Sequence, residues 1–298
     1  MEKSEILYYF LYFILNFLCY FLVIFTQSKS FISFPFSFHF FQLFSSCLSL
    51  LILSNSRNQP GYIDKDKDIK NEDNKEAKNK LNPIDESIPI VTFNLMPNNG
   101  CKICKISKLP LRSHHCEKCE KCVKGFDHHC WILAGCVGEN NRFQFILFLF
   151  FQNISIIFSL YGILIMMNNN QRNEELIYIL TFLFSIMCLF EIFFFWILIY
   201  HIYLLITNQS TLEIFNEEIC SYLSIFTIER KKILAQRGIY IINNTKLRPF
   251  DIGIINNIYL YLWKMINDKN EIDWVKIYFD NLKAKKISLS CGDKEIQK

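Results

Sequence analysis

CKICKISKLPLRSHHCEKCEKCVKGFDHHCWILAGCVGENNRF, residues 101–143, decides how this chain is read. Seven of the 12 Cys and four of the six His fall inside it, whereas Cys19, Cys47, Cys188, Cys220 and Cys291 are scattered. A C-x2-C pair stands at Cys101 and Cys104, and C-x2-C-x2-C at Cys116, Cys119 and Cys122. Such short gaps let two thiolates turn onto one ion, the pattern of a zinc site. A secreted disulfide framework would rarely be laced with His–His pairs. Reduced thiols point to a cytosolic face.

Structural zinc takes four ligands. The seven Cys, with His114, His115, His128 and His129, make eleven candidates, so two closed sites use eight and leave three. A third site needs one further ligand, which Asp127 can supply. The surplus also permits chemistry beyond a structural zinc domain, because Asp127-His128-His129-Cys130 sets a thiol beside an acid and a base. A free thiol with a pKa of about 8.5 is only slightly ionised at neutral pH. A neighbouring His can take its proton, and an Asp can orient that His. Spacing alone does not choose between Cys130 and Cys136 as the spare thiol; proximity to Asp127 and His128 favours Cys130.

Outward from this stretch the chain turns apolar. Of its 298 residues 51% are hydrophobic and 30 are Phe, which excludes a disordered chain. Runs at 6–26, 31–53, 143–167 and 176–206 are uncharged apart from Glu191 in the last. Helices of about 20 residues cross a hydrocarbon core of about 30 Å. The fourth run is longer and is expected to tilt or to continue as helix beyond the membrane. The first is too long for the apolar core of a cleaved signal, and no A-x-A site follows it. The expected fold is an α-helical integral membrane protein, with four transmembrane helices and a cytosolic zinc-binding Cys/His-rich domain between helices two and three. Its parts are helices one and two in 1–53, a linker at 54–100, the zinc domain at 101–143, helices three and four in 144–206, and a tail at 207–298.

Charge orients this plan. Near the spans, Lys3, Arg57, Lys65, Lys67, Lys70, Lys124 and Arg142 fall on the side of the termini and the loop, against Lys29 and Arg172 opposite. The termini, zinc domain and tail are therefore expected in the cytosol. A net charge of +4 gives no support for nucleic acid as a partner. Residues 64–82 alternate charges as a linker does, Ile88–Phe93 suits an edge strand, and Ile254–Ile266 suits a membrane interface. Glu191 is expected to pair across helices with Asn153, Gln144 or Gln152. Sequons stand at Asn153, Asn208 and Asn243, all expected to stay unmodified: the first within a span, the others in the cytosol.

The Cys-rich loop between spans two and three resembles that of the DHHC-type protein S-acyltransferases, or palmitoyltransferases. The resemblance rests on the order C-x2-C, Pro110, Arg112, HHC-x2-C-x2-C, DHHC-x5-C-V-G, Asn140-Asn141 and Phe143. Ser210-Thr211-Leu212-Glu213 resembles the family's Thr-Thr-x-Glu, and Pro249 to Asn257 its C-terminal motif with a buried Asn. The resemblance implies Cys130 as the nucleophile, acylated by a fatty acyl-CoA such as palmitoyl-CoA, with His128 as base and Asp127 as its partner. It implies one structural zinc on Cys101, Cys104, His115 and Cys122, and another on Cys116, Cys119, His129 and Cys136. His114 receives no role.

The family's Pro after the DHHC Cys is missing, and Trp131 stands one place early, so either Trp131 or Ile132 faces the acyl chain. The implied partners are the bilayer, acyl-CoA and substrate proteins with membrane-proximal cysteines. The implied location is an endomembrane (Golgi or ER) or the plasma membrane. Two rivals remain: a RING-like zinc module, which has no use for the spare thiol, and a catalytically weak zinc scaffold of the same family.

Overall fold

The computed structural model describes residues 44–49, 51–52, 55, 60–63, 100–107, 109–169, 172–216, 220, 239–240, 248–267, 271–284 and 290–291. The expected span at 6–26, the linker at 64–82 and the strand Ile88–Phe93 lie outside them. Of the run 31–53, helix is described at 44–49 and 51–52, with a further helical residue at 55 just beyond it. The chain forms two compact units.

The first unit gathers residues 1–59, 129–137 and 141–203. Strand β3 (His128–Cys130) pairs with β4 (Gly135–Val137), β1 and β2 being described below. Ala134 closes the connecting turn at φ 47, its N–H reaching the Trp131 carbonyl at 3.1 Å. Helix α1 (Arg142–Asn169) begins at Asn141, whose carbonyl accepts from Phe145 N at 2.9 Å and whose amide donates to the Cys136 carbonyl at 2.9 Å. Helix α2 runs Glu174–Ile206, its last residues counting with the second unit.

Both helices are long and apolar enough to cross a membrane. At 33 residues α2 is about 50 Å long, so the fourth run is helix throughout and longer than a core of about 30 Å needs. The outward face of α2 carries Tyr178, Phe182, Leu189, Ile192, Phe193 and Trp196. Leaving such side chains in water forfeits about 1.5–3 kcal/mol each, and a bilayer removes that cost. The inner stripe of α1, including Phe145, Phe148, Leu149, Ile156 and Ile163, is buried at helical spacing. The Phe145 ring meets His201 edge-on at 4.9 Å.

Small polar side chains join α1 to the 44–49 segment. Ser46 and Ser155 share a hydrogen bond of 2.5 Å, and Ser49 donates to Gln152 at 3.3 Å, the kind of contact that joins helices in lipid. The expected pairing of Glu191 is not made. Gln152 accepts from Ser49 instead, Asn153 donates to its own helix at Leu149, and Glu191 Oε2 has no hydrogen bond among the described residues.

The second unit gathers 60–128, 138–140 and 204–298. Strands β1 (His114–Cys116) and β2 (Lys121–Val123) form an antiparallel hairpin with His115 opposite Cys122. The 60–63 segment lies beside β2, with Ile63 N donating to the Cys122 carbonyl and Lys124 N to Gly61. Helices α3 (Thr211–Phe215), α4 (Ile254–Ile266) and α5 (Trp274–Ala284) follow, and β5 (Ile239–Tyr240) pairs with β6 (Ser290–Cys291). Helix α4 is inside out: Asn257, Tyr261 and Lys264 are buried, while Ile254, Ile255, Tyr259 and Ile266 face outward.

Candidate functional site

In the second unit a turn and a hairpin bring four ligands together. Cys101 and Ile106 bridge around a tight turn that aims Cys101 and Cys104 the same way. The β1–β2 hairpin delivers His115 and Cys122 from facing positions. The three Sγ atoms and one imidazole nitrogen lie within 4.8 Å of one another. Cys104 Sγ and Cys122 Sγ stand 3.3 and 3.7 Å from His115 Nδ1. A zinc tetrahedron with bonds of about 2.0–2.3 Å has S–N edges of about 3.5 Å, so the group fits that metal. Burial first, then hydrogen bonding with Cys101 and Cys104, pushes the Cys122 thiol up. Metal binding must displace that proton, so loading releases acid.

The module's other donor set, Cys116, Cys119, His129 and Cys136, has the same three thiols and one imidazole. Within the first unit His129 Nδ1 and Cys136 Sγ approach to 3.8 Å. Alternation along β3 turns His129 away from its neighbours His128 and Cys130.

Asp127 is fully buried and accepts from His128 Nδ1 at 2.6 Å, while a quarter of the His128 side chain remains exposed. A carboxylate only accepts, so His128 Nδ1 carries the proton of this bond, and in the neutral imidazole Nε2 is then the basic nitrogen. The carboxylate is itself clamped. Thr211 donates to it twice, from N at 2.8 Å and from Oγ1 at 2.9 Å, and Leu212 N reaches the Asp127 carbonyl at 3.2 Å. These donors stand at the start of α3, where Ser210 caps the helix in a reciprocal box with Glu213. The Ser210 hydroxyl is the cap, accepting from Glu213 N at 3.2 Å.

Glu213 is paired in turn with buried Arg112, through two hydrogen bonds of 2.8 Å. Arg112 also donates to Asn208 Oδ1 at 2.9 Å. Asn257, fully buried, donates to Asp251 at 2.9 Å and to the Ile206 carbonyl, closing the end of α2. The structure therefore joins Asp127, Thr211, Ser210, Glu213 and Asn257 in one unit, together with residues to which the sequence reading assigned no part in the site: Asn208, noted only as a sequon, Glu139, Phe250 and Tyr261, quoted only within longer segments, and Trp274. For Asn208 the available signal was a polar side chain directly behind an apolar run. For buried Trp274 it was a Trp in a polar tail.

Cys130 is buried, and Trp131 behind it is 53% exposed. Leu133 is fully buried and Ile132 half-buried. Leu109 falls in irregular chain before the Pro110–Ser113 turn. His114 packs against Phe126 with ring centroids 5.3 Å apart, and burial, then the charge of His115, holds it below the usual imidazole range.

Apolar membrane-length helices, a zinc-type Cys/His module and an Asp–His pair define a membrane-associated Cys/His-module protein. Comparison narrows the class. Residues 94–218 match the family model of the DHHC palmitoyltransferase. It is also 30% identical over 171 residues, 54% of its length, to a Dictyostelium discoideum protein provisionally named ZDHHC-type palmitoyltransferase 7. The alignment covers 34% of that protein, so the chain spans about a third of the length of this relative.

Proposed function

We propose that the protein is a protein S-palmitoyltransferase that carries a long-chain acyl group on Cys130 between acyl-CoA and cysteine thiols of substrate proteins. The observation that carries this reading is the Asp127–His128 hydrogen bond of 2.6 Å, two residues before Cys130 on the same strand and inside the matched domain. His128 Nε2 takes the Cys130 proton, and the thiolate attacks the acyl-CoA carbonyl. The S–C bond to CoA breaks, and the CoA thiolate leaves with the proton that His128 returns. In the second half a substrate thiol loses its proton to His128. It attacks the Cys130 thioester, and Cys130 leaves and is reprotonated.

Two structural zincs complete the account, one on Cys101, Cys104, His115 and Cys122, the other on Cys116, Cys119, His129 and Cys136. Four spans place the termini and the module in the cytosol, where acyl-CoA is available, in an endomembrane (Golgi or ER) or the plasma membrane. The outward isoleucines of α4 support a seat at the membrane interface: Asn257 ties this helix to the final carbonyl of α2, where a span ends. Buried Asn153 and Asn208 are poor glycan acceptors, as this topology also requires.

The test is incubation of the purified full chain with labelled palmitoyl-CoA. Hydroxylamine-sensitive label is expected on wild type and absent from Cys130→Ser. Equal labelling of Cys130→Ser would refute the assignment.

A further inference from the structure

Arg112 connects the tail to Asp127 by more than its pairing with Glu213. Its backbone stands at φ 65, a left-handed conformation that is costly for a side chain of this size. Its carbonyl accepts from Phe126 N at 3.0 Å, one residue before Asp127. Its guanidinium sits in the corner of two nearly perpendicular rings, 4.3 Å from the Phe250 ring centroid and 4.4 Å from that of Trp274, the rings themselves meeting edge to face at 5.6 Å. The Trp274 indole N–H donates to Glu139 at 2.7 Å, and Glu139 also faces buried Lys264 at 3.5 Å. The indole at the start of α5 is thus fixed at one edge and presents its face to the cation.

We propose that Trp274 is a positioning residue, whose ring holds Arg112 so that Glu213 and Thr211 orient Asp127 and, through it, His128. The sequence of contacts is unbroken. Trp274 and Phe250 confine Arg112, and Arg112 binds both oxygens of Glu213. Glu213 accepts from Ser210 N at 2.8 Å, and the adjoining Thr211 grips the Asp127 carboxylate. A guanidinium over an indole gains most where water is excluded, as it is at this buried side chain. Without the indole, Arg112 has room to leave its left-handed conformation, and the fork on Glu213 turns with it. The inference rests on the proposed role of His128 toward Cys130, but it can be read out without acyl-CoA.

The experiment measures iodoacetamide alkylation of Cys130 against pH by peptide mass spectrometry, on zinc-loaded full chain in lipid nanodiscs. Self-acylation by palmitoyl-CoA is measured beside it. Trp274→Leu fills the site without an aromatic face; Trp274→Phe restores the face but not the N–H to Glu139.

Trp274→Leu is expected to move Cys130 alkylation to higher pH and to slow self-acylation at neutral pH by about 10-fold, with zinc retained and the KM for acyl-CoA unchanged. The deficit should shrink as pH rises, because hydroxide then ionises the thiol. Trp274→Phe should recover most of the loss. Equal behaviour of the Leu and Phe variants, or a Leu deficit independent of pH, would overturn the proposal by leaving Trp274 a packing residue only. Should Trp274→Leu fail to fold, Arg112→Lys decides: it keeps the charge but not the fork, and a wild-type alkylation profile in that variant also overturns the proposal. Wild-type protein that shows the alkylation profile but takes no acyl label would refute the acyltransferase reading and leave the positioning role standing.

Discussion

The metal quartet and the polar clamp lie in the same unit, yet they are built differently. In the quartet, contacts join residues 3, 7 and 11 apart, and a turn and a hairpin bring the ligands together locally. In the clamp, contacts join residues 84, 96 and 101 apart, and the partners meet only once the tail has folded back. Local spacing makes a metal site that organises its own surroundings. The clamp depends on distant segments, and one lost partner strands a buried charge.

The largest difference should appear when each is cut once. Cys122→Ser opens the quartet. Structural zinc contributes about 10–16 kcal/mol of apparent binding energy to folding, so this variant should lose one zinc and become protease-sensitive through 101–123. Full zinc content by metal analysis would refute the ligand set.

Glu213→Ala should cost less, about 3–5 kcal/mol, because it leaves the Arg112 cation buried without its carboxylate. The double variant Arg112→Met with Glu213→Met should unfold at a higher temperature than the single one. A single variant as stable as the double would show that the pair is not buried as a unit.

Ser210→Ala removes only the cap of α3 and should lower stability by about 1 kcal/mol in a denaturant titration, with zinc content unchanged. The smallest effect belongs to the partly exposed Lys124–Glu271 pair: Lys124→Ala should cost under about 1 kcal/mol and nothing measurable at high salt.

The same contrast explains what could be read from the sequence. Cys101 and Cys104 were legible as a donor pair because C-x2-C spacing turns two thiols the same way, whereas their grouping with His115 and Cys122 came only from the family likeness. The runs at 143–167 and 176–206 were legible because a membrane helix needs only length and apolarity. The Thr211 grip on Asp127 was visible only as motif likeness, since no periodicity links positions 84 residues apart. Trp274 carried no spacing signal. Glu191 misled because its acid suggested a partner across the helices, whereas Gln152 is taken by Ser49 and Asn153 by its own backbone.

The central claim is that Cys130 is the one thiol of the 101–136 module that zinc does not use. It is tested most directly by mapping acylated peptides by mass spectrometry after brief exposure of zinc-loaded protein to palmitoyl-CoA, with zinc counted in the same sample. The acyl group should sit on Cys130 alone among the module's seven cysteines, with about two zincs retained per chain. Acylation of Cys136 with Cys130 unmodified, or acylation that proceeds only as zinc is lost, would contradict it.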